Sequence, residues 1–254
     1  VETLILQVSN ISRSFGGLKA VQDVSFSVRE GSISALIGPN GAGKTTLFAI
    51  LSGFIKPDGG SVLFQGKDIT GMLPHQICRL GMTRTFQLVQ PFAAQTVREN
   101  IAVGAHLGIA SRKSALAKAE EVARQVGLEE QLHKPAIDLT IAGRKRLELA
   151  RAIATGPRLL LLDEVLAGLN PQEINEMLPV IRDIRDSGVT VLMIEHVMQA
   201  VMNLSEHARV LNNGSLIAEG APVDIASNPM VIEAYLGHGT AERLRKAMEA
   251  AGAA

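Results

Sequence analysis

The nine residues GPNGAGKTT, positions 38–46, constrain this chain more than any other segment. They fit the pattern GxxxxGK[ST] and lie between SISALI (32–37), which reads as a buried strand, and a helical stretch. Gly38, Gly41 and Gly43 let the backbone curl so that consecutive amides point inward, and the N-terminus of the following helix adds partial positive charge. Together with Pro39, Asn40, Ala42 and Thr46 they form a cradle suited to phosphate oxygens. Lys44 is placed to neutralise the β and γ phosphates of a nucleotide, and the Thr45 hydroxyl to coordinate a bridging Mg²⁺. Nucleotide binding follows from this segment alone. A kinase, a GTPase and a transport motor remain equally compatible with it.

The rest of the chain predicts an α/β domain. Runs 4–8 (LILQV) and 24–28 (VSFSV) read as short strands separated by a Gly16-Gly17 turn, and 61–65 (SVLFQ) as a third, introduced by Pro57, Asp58, Gly59 and Gly60. They are expected to form an antiparallel β arm beside the core. Between about 95 and 155 the sequence turns helical, with Leu116, Ala119, Ala123 and Val126 spaced along one face before Gly127. Strand signals return at 159–163 (LLLLD) and 189–195, bracketing a helix that starts at Asn170 and Pro171, with Glu173 where a capping box needs an acid. Ile174, Met177, Leu178, Ile181 and Ile184 supply its apolar face, and Pro179 is expected to bend it. Apolar strands alternating with helices imply a mainly parallel sheet covered on both faces. The tail after Gly237 reads as a fraying surface helix.

Two carboxylates end the LLLLDE run, at the strand's C-terminal edge, where open α/β sheets place their ligands. Asp163 is expected to hold Mg²⁺ and Glu164 to orient and partly deprotonate an attacking water. His196 follows the next strand and can hydrogen-bond a γ-phosphate, while the Gln87 amide, in RTFQLVQPF, can reach Mg²⁺-bound water.

Composition excludes several function classes. With 25 basic and 25 acidic residues there is no broad basic face for nucleic acid or anionic lipid. The single cysteine, Cys78, can form neither an internal disulfide nor a cysteine metal cluster, and a small buried hydrophobe is its expected role. No stretch reaches the roughly 18 apolar residues of a membrane-spanning helix. The N-terminal VETLILQVSNISRSF lacks the pattern of a secretory signal, so a cytoplasmic location is expected.

The order GPNGAGKTT, TFQ, LTIAGRKRLELARAI, LLLLDE, AGLN and EH resembles the ATP-binding subunits of ABC transporters, over residues 4 to about 237. The resemblance implies a P-loop NTPase, RecA-like core formed by residues 1–88 and 155–237, with a helical subdomain inserted at 89–154 and a tail at 238–254. It implies that Phe15 stacks on adenine, with Val21 also among the nucleotide-binding residues. It makes Gln87 the loop that couples nucleotide to a membrane subunit and His196 the switch histidine, with Lys44 and Glu164 completing the catalytic set. The family's LSGGQ signature corresponds to 139–143, where Thr140 stands for serine, Ile141 and Ala142 for the two glycines and Gly143 for glutamine. The Cβ atoms at 141 and 142 restrict backbone angles and close approach. In AGLN, Asn170 replaces the usual aspartate.

AGLNP, IEHVM and NPMVIEAYLG together look like the ATPases of branched-chain amino acid importers and their urea or amide relatives. The function implied is ATP hydrolysis that energises solute uptake. Its partners would be a second ABC subunit arranged head to tail, integral membrane permeases and, indirectly, a periplasmic or extracellular solute-binding protein. The site would be the cytoplasmic face of the membrane. The altered signature and Asn170 leave an alternative, a nucleotide-gated module with little hydrolysis, and another transported solute is a further alternative.

Overall fold

A computed structural model of the chain describes residues 3–87 and 90–236, so the expected tail helix at 238–254 lies outside the described residues. In chain order the elements begin with β1 (Leu4–Phe15), β2 (Leu18–Arg29), β3 (Ile33–Ile37), α1 (Lys44–Leu51), β4 (Gly59–Phe64), β5 (Lys67–Asp68), α2 (Pro74–Leu80) and β6 (Met82–Arg84). Next come α3 (Val97–Ala105), α4 (Arg112–Gln125), α5 (Ile141–Ile153), β7 (Leu159–Asp163), α6 (Pro171–Asp186) and β8 (Thr190–Ile194). The last are α7 (Met198–Leu204), β9 (His207–Asn212), β10 (Ser215–Gly220), α8 (Pro222–Ser227) and α9 (Pro229–Leu236).

The arm is an antiparallel sheet of order β2-β1-β4-β5. Its first two strands turn at Gly16-Gly17, as expected, but run well beyond the apolar stretches 4–8 and 24–28. Polar residues such as Ser9, Asn10 and Ser12 hide the extension in sequence, and register shifts along the β1–β2 pairing absorb the irregularity.

The central sheet has the order β10-β9-β3-β8-β7-β6, parallel except for the β9–β10 hairpin. Strands β3, β7 and β8 are buried along their whole length, so both faces must be covered. Ile33, Ala35 and Ile37 join the helices α3 to α7 in one core, and Leu36 and Leu211 join α1 and the arm in another. At the head of α6, Asn170 Oδ1 accepts from the Glu173 amide at 3.0 Å and the Glu173 carboxylate accepts from the Asn170 amide at 2.9 Å. That helix runs as one element past Pro179, with its five expected apolar positions buried. In α4, Ala119 and Ala123 are buried and Leu116 half-buried, with Ala115 and Val122 completing the face. Cys78 is half-buried rather than buried, its Sγ 3.6 Å from the Thr83 hydroxyl.

For function the key feature is adjacency. Strands β3, β8, β7 and β6 lie side by side and parallel, so the segments that follow them leave the sheet along one C-terminal edge.

Candidate functional site

Those segments carry the phosphate loop after β3, His196 after β8, Glu164 after β7 and Gln87 after β6. A cleft of about 1140 Å³ opens there, lined by residues 40–46, by Gln87, Glu164 and His196, and on the arm side by Phe15, Lys19 and Ala20. Four stretches far apart in sequence thus meet because the parallel order of the strands requires it.

The loop is held by its neighbours as much as by its glycines. Gly38 (φ 149°) lies so close to β9 that a Cβ would meet the Leu211 carbonyl oxygen at 2.0 Å. At Gly43 (φ 103°) a Cβ would meet the Ala20 carbonyl oxygen at 2.2 Å. Any side chain at either position forces the backbone apart. The Lys44 ammonium donates to the carbonyls of Gly38 (2.7 Å) and Pro39 (2.9 Å), which turns the charge back across the loop. Burial lowers the Lys44 pKa, and Glu164 and Asp163 oppose that shift. Tyr235 of α9 lies against the Gly38 amide; burial raises its phenol and that amide opposes the shift.

Glu164 takes a left-handed backbone (φ 51°), a strained conformation for a side chain of this kind. Its amide is fixed to the Ile194 carbonyl at 3.0 Å, and its own carbonyl accepts from Lys145 Nζ at 3.1 Å. The carboxylate is bracketed: Gln87 Nε2 donates to Oε2 at 2.6 Å, and His196 Nε2 is hydrogen-bonded to Oε1 at 2.5 Å. The structure therefore joins Gln87, Glu164 and His196 in one hydrogen-bonded set at the mouth of the loop.

Asp163 is arranged differently. Its Oδ2 accepts from Arg84 Nη2 at 2.7 Å in a buried ion pair, and its Oδ1 is buried with no hydrogen-bond partner. The Arg84 guanidinium also lies over the rings of Phe48 (5.9 Å) and Phe86 (5.5 Å). Asp163, Thr45 and Gln87 border a second cleft of about 670 Å³ that reaches to Glu148 and Arg151 of α5. One carboxylate with an unmet oxygen, one hydroxyl and one amide suit Mg²⁺, which is bound through one or two carboxylates and completes its octahedral shell with other oxygens, water and phosphate. Among the described residues no cluster of three His, Cys, Asp or Glu offers a metal an all-protein cage. Arg84→Met is expected to destabilise the nucleotide-free protein by about 3–5 kcal/mol, because a buried carboxylate is left unpaired. Urea unfolding should show that loss, partly restored by Mg·ATP; unchanged stability would mean the ion pair is worth nothing.

The remaining expected residues divide. Phe15 is 44% exposed, so it is no core residue; its ring faces the cleft with the Arg13 guanidinium 4.9 Å from its centre. Val21 requires a correction: it is a residue of the arm's β2, fully buried in the core shared with α1, and does not line the cleft, whereas its neighbour Ala20 does. Thr140 caps α5, its hydroxyl accepting from the Gly143 amide at 3.1 Å. Ile141 and Ala142 form the first turn of that helix and neither has positive φ, so their Cβ atoms impose no backbone penalty there. Ile141 is 64% exposed. Thr140, Ala142 and Gly143 border a separate pocket with Arg146 and Asn170, sharing no residue with the cleft at the phosphate loop.

Sequence patterns did not point to Arg84, Lys145, Glu148 or Glu195. Glu148 is buried and accepts from the Phe86 amide at 3.2 Å; burial raises its pKa, with Arg151 opposing. Glu195 is buried beside His196 and accepts from the Leu166 amide at 3.1 Å. Burial, reinforced by the charge of Glu164, pushes its pKa from 4.5 to about 7. Between those values the unfolded chain is ionised while the fold keeps the proton, so stability falls as pH rises through that window and levels off above it. The total is on the order of 3 kcal/mol. Glu195→Gln is expected to remove that slope, read as the difference in urea unfolding free energy between pH 5 and pH 8; an unchanged difference would sink the assignment.

Comparison with known proteins agrees with this geometry. Residues 21–167 match the ABC transporter family, and residues 215–241 match a segment described as branched-chain amino acid ATP-binding cassette transporter. The chain is 41% identical over 249 residues to the high-affinity branched-chain amino acid transport ATP-binding protein BraF of Pseudomonas aeruginosa, covering 92% of this chain and 98% of the relative. It is likewise 41% identical to LivG of Escherichia coli, with the same coverage. Among solved structures, the ADP conformation of MJ1267, an ATP-binding cassette of an ABC transporter, superposes with a TM-score of 0.85 at 34% identity, covering 93% of this chain and all of the other. A nucleotide-free cassette from an ABC transporter matches with the same TM-score at 33% identity. With GPNGAGKTT, the acidic pair and His196 on one sheet edge, and a family match over more than half its length, the chain belongs to the ATP-binding subunits of the ABC transporter family.

Proposed function

We propose that this chain hydrolyses ATP to drive uptake of branched-chain amino acids, working as one half of a head-to-tail pair docked on permease subunits at the cytoplasmic face of the membrane. The observation that carries the catalytic part is the Glu164 carboxylate held between Gln87 and His196 at the mouth of the phosphate loop. The solute follows from the relatives, BraF and LivG, which are branched-chain amino acid transport proteins, and from the matching segment at 215–241. No helix among the described residues is long and apolar enough to cross a membrane, so the permeation path would belong to partner chains. A solute-binding protein outside the membrane would act indirectly. Residues 1–88 and 155–237 would form the catalytic core and 89–154 the helical subdomain that meets the permease.

ATP would lie with adenine on Phe15 and its phosphates on the amides of 40–46, beside the Lys44 ammonium. Mg²⁺, held by Thr45, Asp163 and Gln87, would neutralise charge on the β and γ phosphates. A γ-phosphate in the cleft gives His196 a new acceptor. Glu164 Oε1 is thereby released to take a proton from water as that water attacks phosphorus, and ADP and inorganic phosphate leave. Lys145 acts at one remove, fixing the Glu164 carbonyl and so the direction of the carboxylate. The pocket at Thr140 shares no residue with this cleft, so a second copy turned head to tail would bring it over the phosphates. There the first-turn amides of α5 and the exposed Ile141 would meet the partner.

ATP turnover per chain is expected to rise with protein concentration, and to rise again in vesicles holding the permeases and a leucine-loaded binding protein. Turnover per chain independent of concentration would refute the pair. Near-zero turnover at every concentration would favour a nucleotide-gated module, and stimulation only by a different solute would overturn the substrate assignment.

A further inference from the structure

At the end of β3 and β9 remote from the phosphate loop, the arm and the central sheet part around a pocket of about 430 Å³. Phe26 and Arg29 of β2, Ser34 of β3, His207 and Arg209 of β9 and Glu219 of β10 contribute to its walls. Side chains alternate along β9, so Arg209 shares a face with Leu211, which belongs to the apolar layer between the two sheets. An aliphatic residue would be the ordinary occupant of position 209, yet an arginine 5% exposed is there.

Its hydrogen bonding is incomplete. Nη2 donates to the Ser27 carbonyl at 2.5 Å, and the guanidinium lies 5.1 Å from the centre of the Phe26 ring. Nε and Nη1 are buried without any hydrogen-bond partner. The nearest carboxylate, Glu219, is 3.5 Å from Nε and 58% exposed, so it is a loose counter-ion on the rim. Burial lowers the Arg209 pKa, Arg29 adds to that, and Glu219 opposes it. A guanidinium keeps its charge in a protein and presents five donors, so the burial cost stays with the fold until acceptors arrive.

We propose that this pocket binds a small oxyanion, a carboxylate or a phosphate group, through the free edge of Arg209, with the Ser34 hydroxyl at its side and Glu219 as the internal competitor it displaces. The volume is at the lower end of small-molecule sites and admits such an anion together with water. Arg29 and Glu206 also line the pocket, so the proposal rests on Arg209 alone. The site is separate from the nucleotide cleft, with which it shares no lining residue.

The test keeps the two apart by saturating the protein with Mg²⁺ and a non-hydrolysable ATP analogue, which fills the phosphate loop. Inorganic phosphate and then acetate are titrated by calorimetry at constant ionic strength, and whichever saturates at lower concentration identifies the class. Glu219→Gln removes the competitor and is expected to tighten binding about two- to fivefold, the range of an exposed ion pair. Arg209→Met is expected to weaken it roughly tenfold or more, as the loss of a charged hydrogen bond does. Should Arg209→Met fail to fold, the direction of the Glu219→Gln change still decides. No saturable heat from either anion would mean that water alone meets Nη1, and affinity unaltered by Glu219→Gln would mean that the anion is elsewhere; either overturns the proposal.

Discussion

Glu164→Gln is expected to cut ATP turnover by about 10²–10⁴-fold, the usual worth of a general base in proton transfer. ATP affinity should stay within a few-fold of the parent. The geometry gives the reason for both halves. A glutamine keeps the shape, the left-handed backbone and the anchoring of the main chain to Ile194 and Lys145, none of which depends on the carboxylate charge. It retains one oxygen, enough to accept from Gln87 or His196 but not from both, and it cannot take a proton from water. The proposed nucleotide contacts are on the loop and on Lys44, so the bound state is expected to survive while the chemical step fails. Single-turnover hydrolysis beside equilibrium ATP binding checks this. A variant that binds and hydrolyses like the parent would remove Glu164 from the role of base and leave His196 as the next candidate.

The parts of this site visible in sequence were those in which one contiguous segment carries both the chemistry and its context. LLLLDE contains the strand end and GPNGAGKTT directly follows one, each with its reacting groups, and the structure places both on the same sheet edge. The α6 cap was legible for the same reason, since Asn170 and Glu173 are three residues apart. What stayed hidden depends on pairs that chain order separates. Arg84 meets Asp163 across 79 positions, and nothing around Arg84 in GMTRTFQ marks it as the counter-ion of the Asp163 carboxylate. Lys145 lies in a helix that reads as amphipathic, and only the fold reveals that its ammonium ends on the Glu164 carbonyl. The burial of Val21 had no local signal: alternation from Val24, Phe26 and Val28 puts Ala20 on the inward phase and Val21 on the other, and the register shift at Asp23 (φ 50°) reverses them. The β9–β10 hairpin did have one, the Asn213-Gly214 dipeptide, both residues having positive φ.

Lys44→Met separates what that side chain does for the fold from what it does for the ligand. The ammonium is buried, its pKa is lowered by burial, and its hydrogen bonds go to the Gly38 and Pro39 carbonyls. A methionine of similar length removes the desolvation cost and leaves those two carbonyls without that donor. The two effects oppose each other, and nucleotide-free stability is expected to change by less than about 1 kcal/mol, the scale of one net hydrogen bond. Binding has no such compensation. Hydrogen bonds to charged groups contribute about 1.5–3 kcal/mol each, so losing contacts to two phosphates should weaken Mg·ATP by roughly a hundredfold or more. Thermal unfolding without nucleotide and ATP titration of the same sample distinguish the outcomes. A large stability loss with nearly normal ATP affinity would mean that Lys44 is a structural strut of the loop, and the phosphate charge would then have to be met by backbone amides alone.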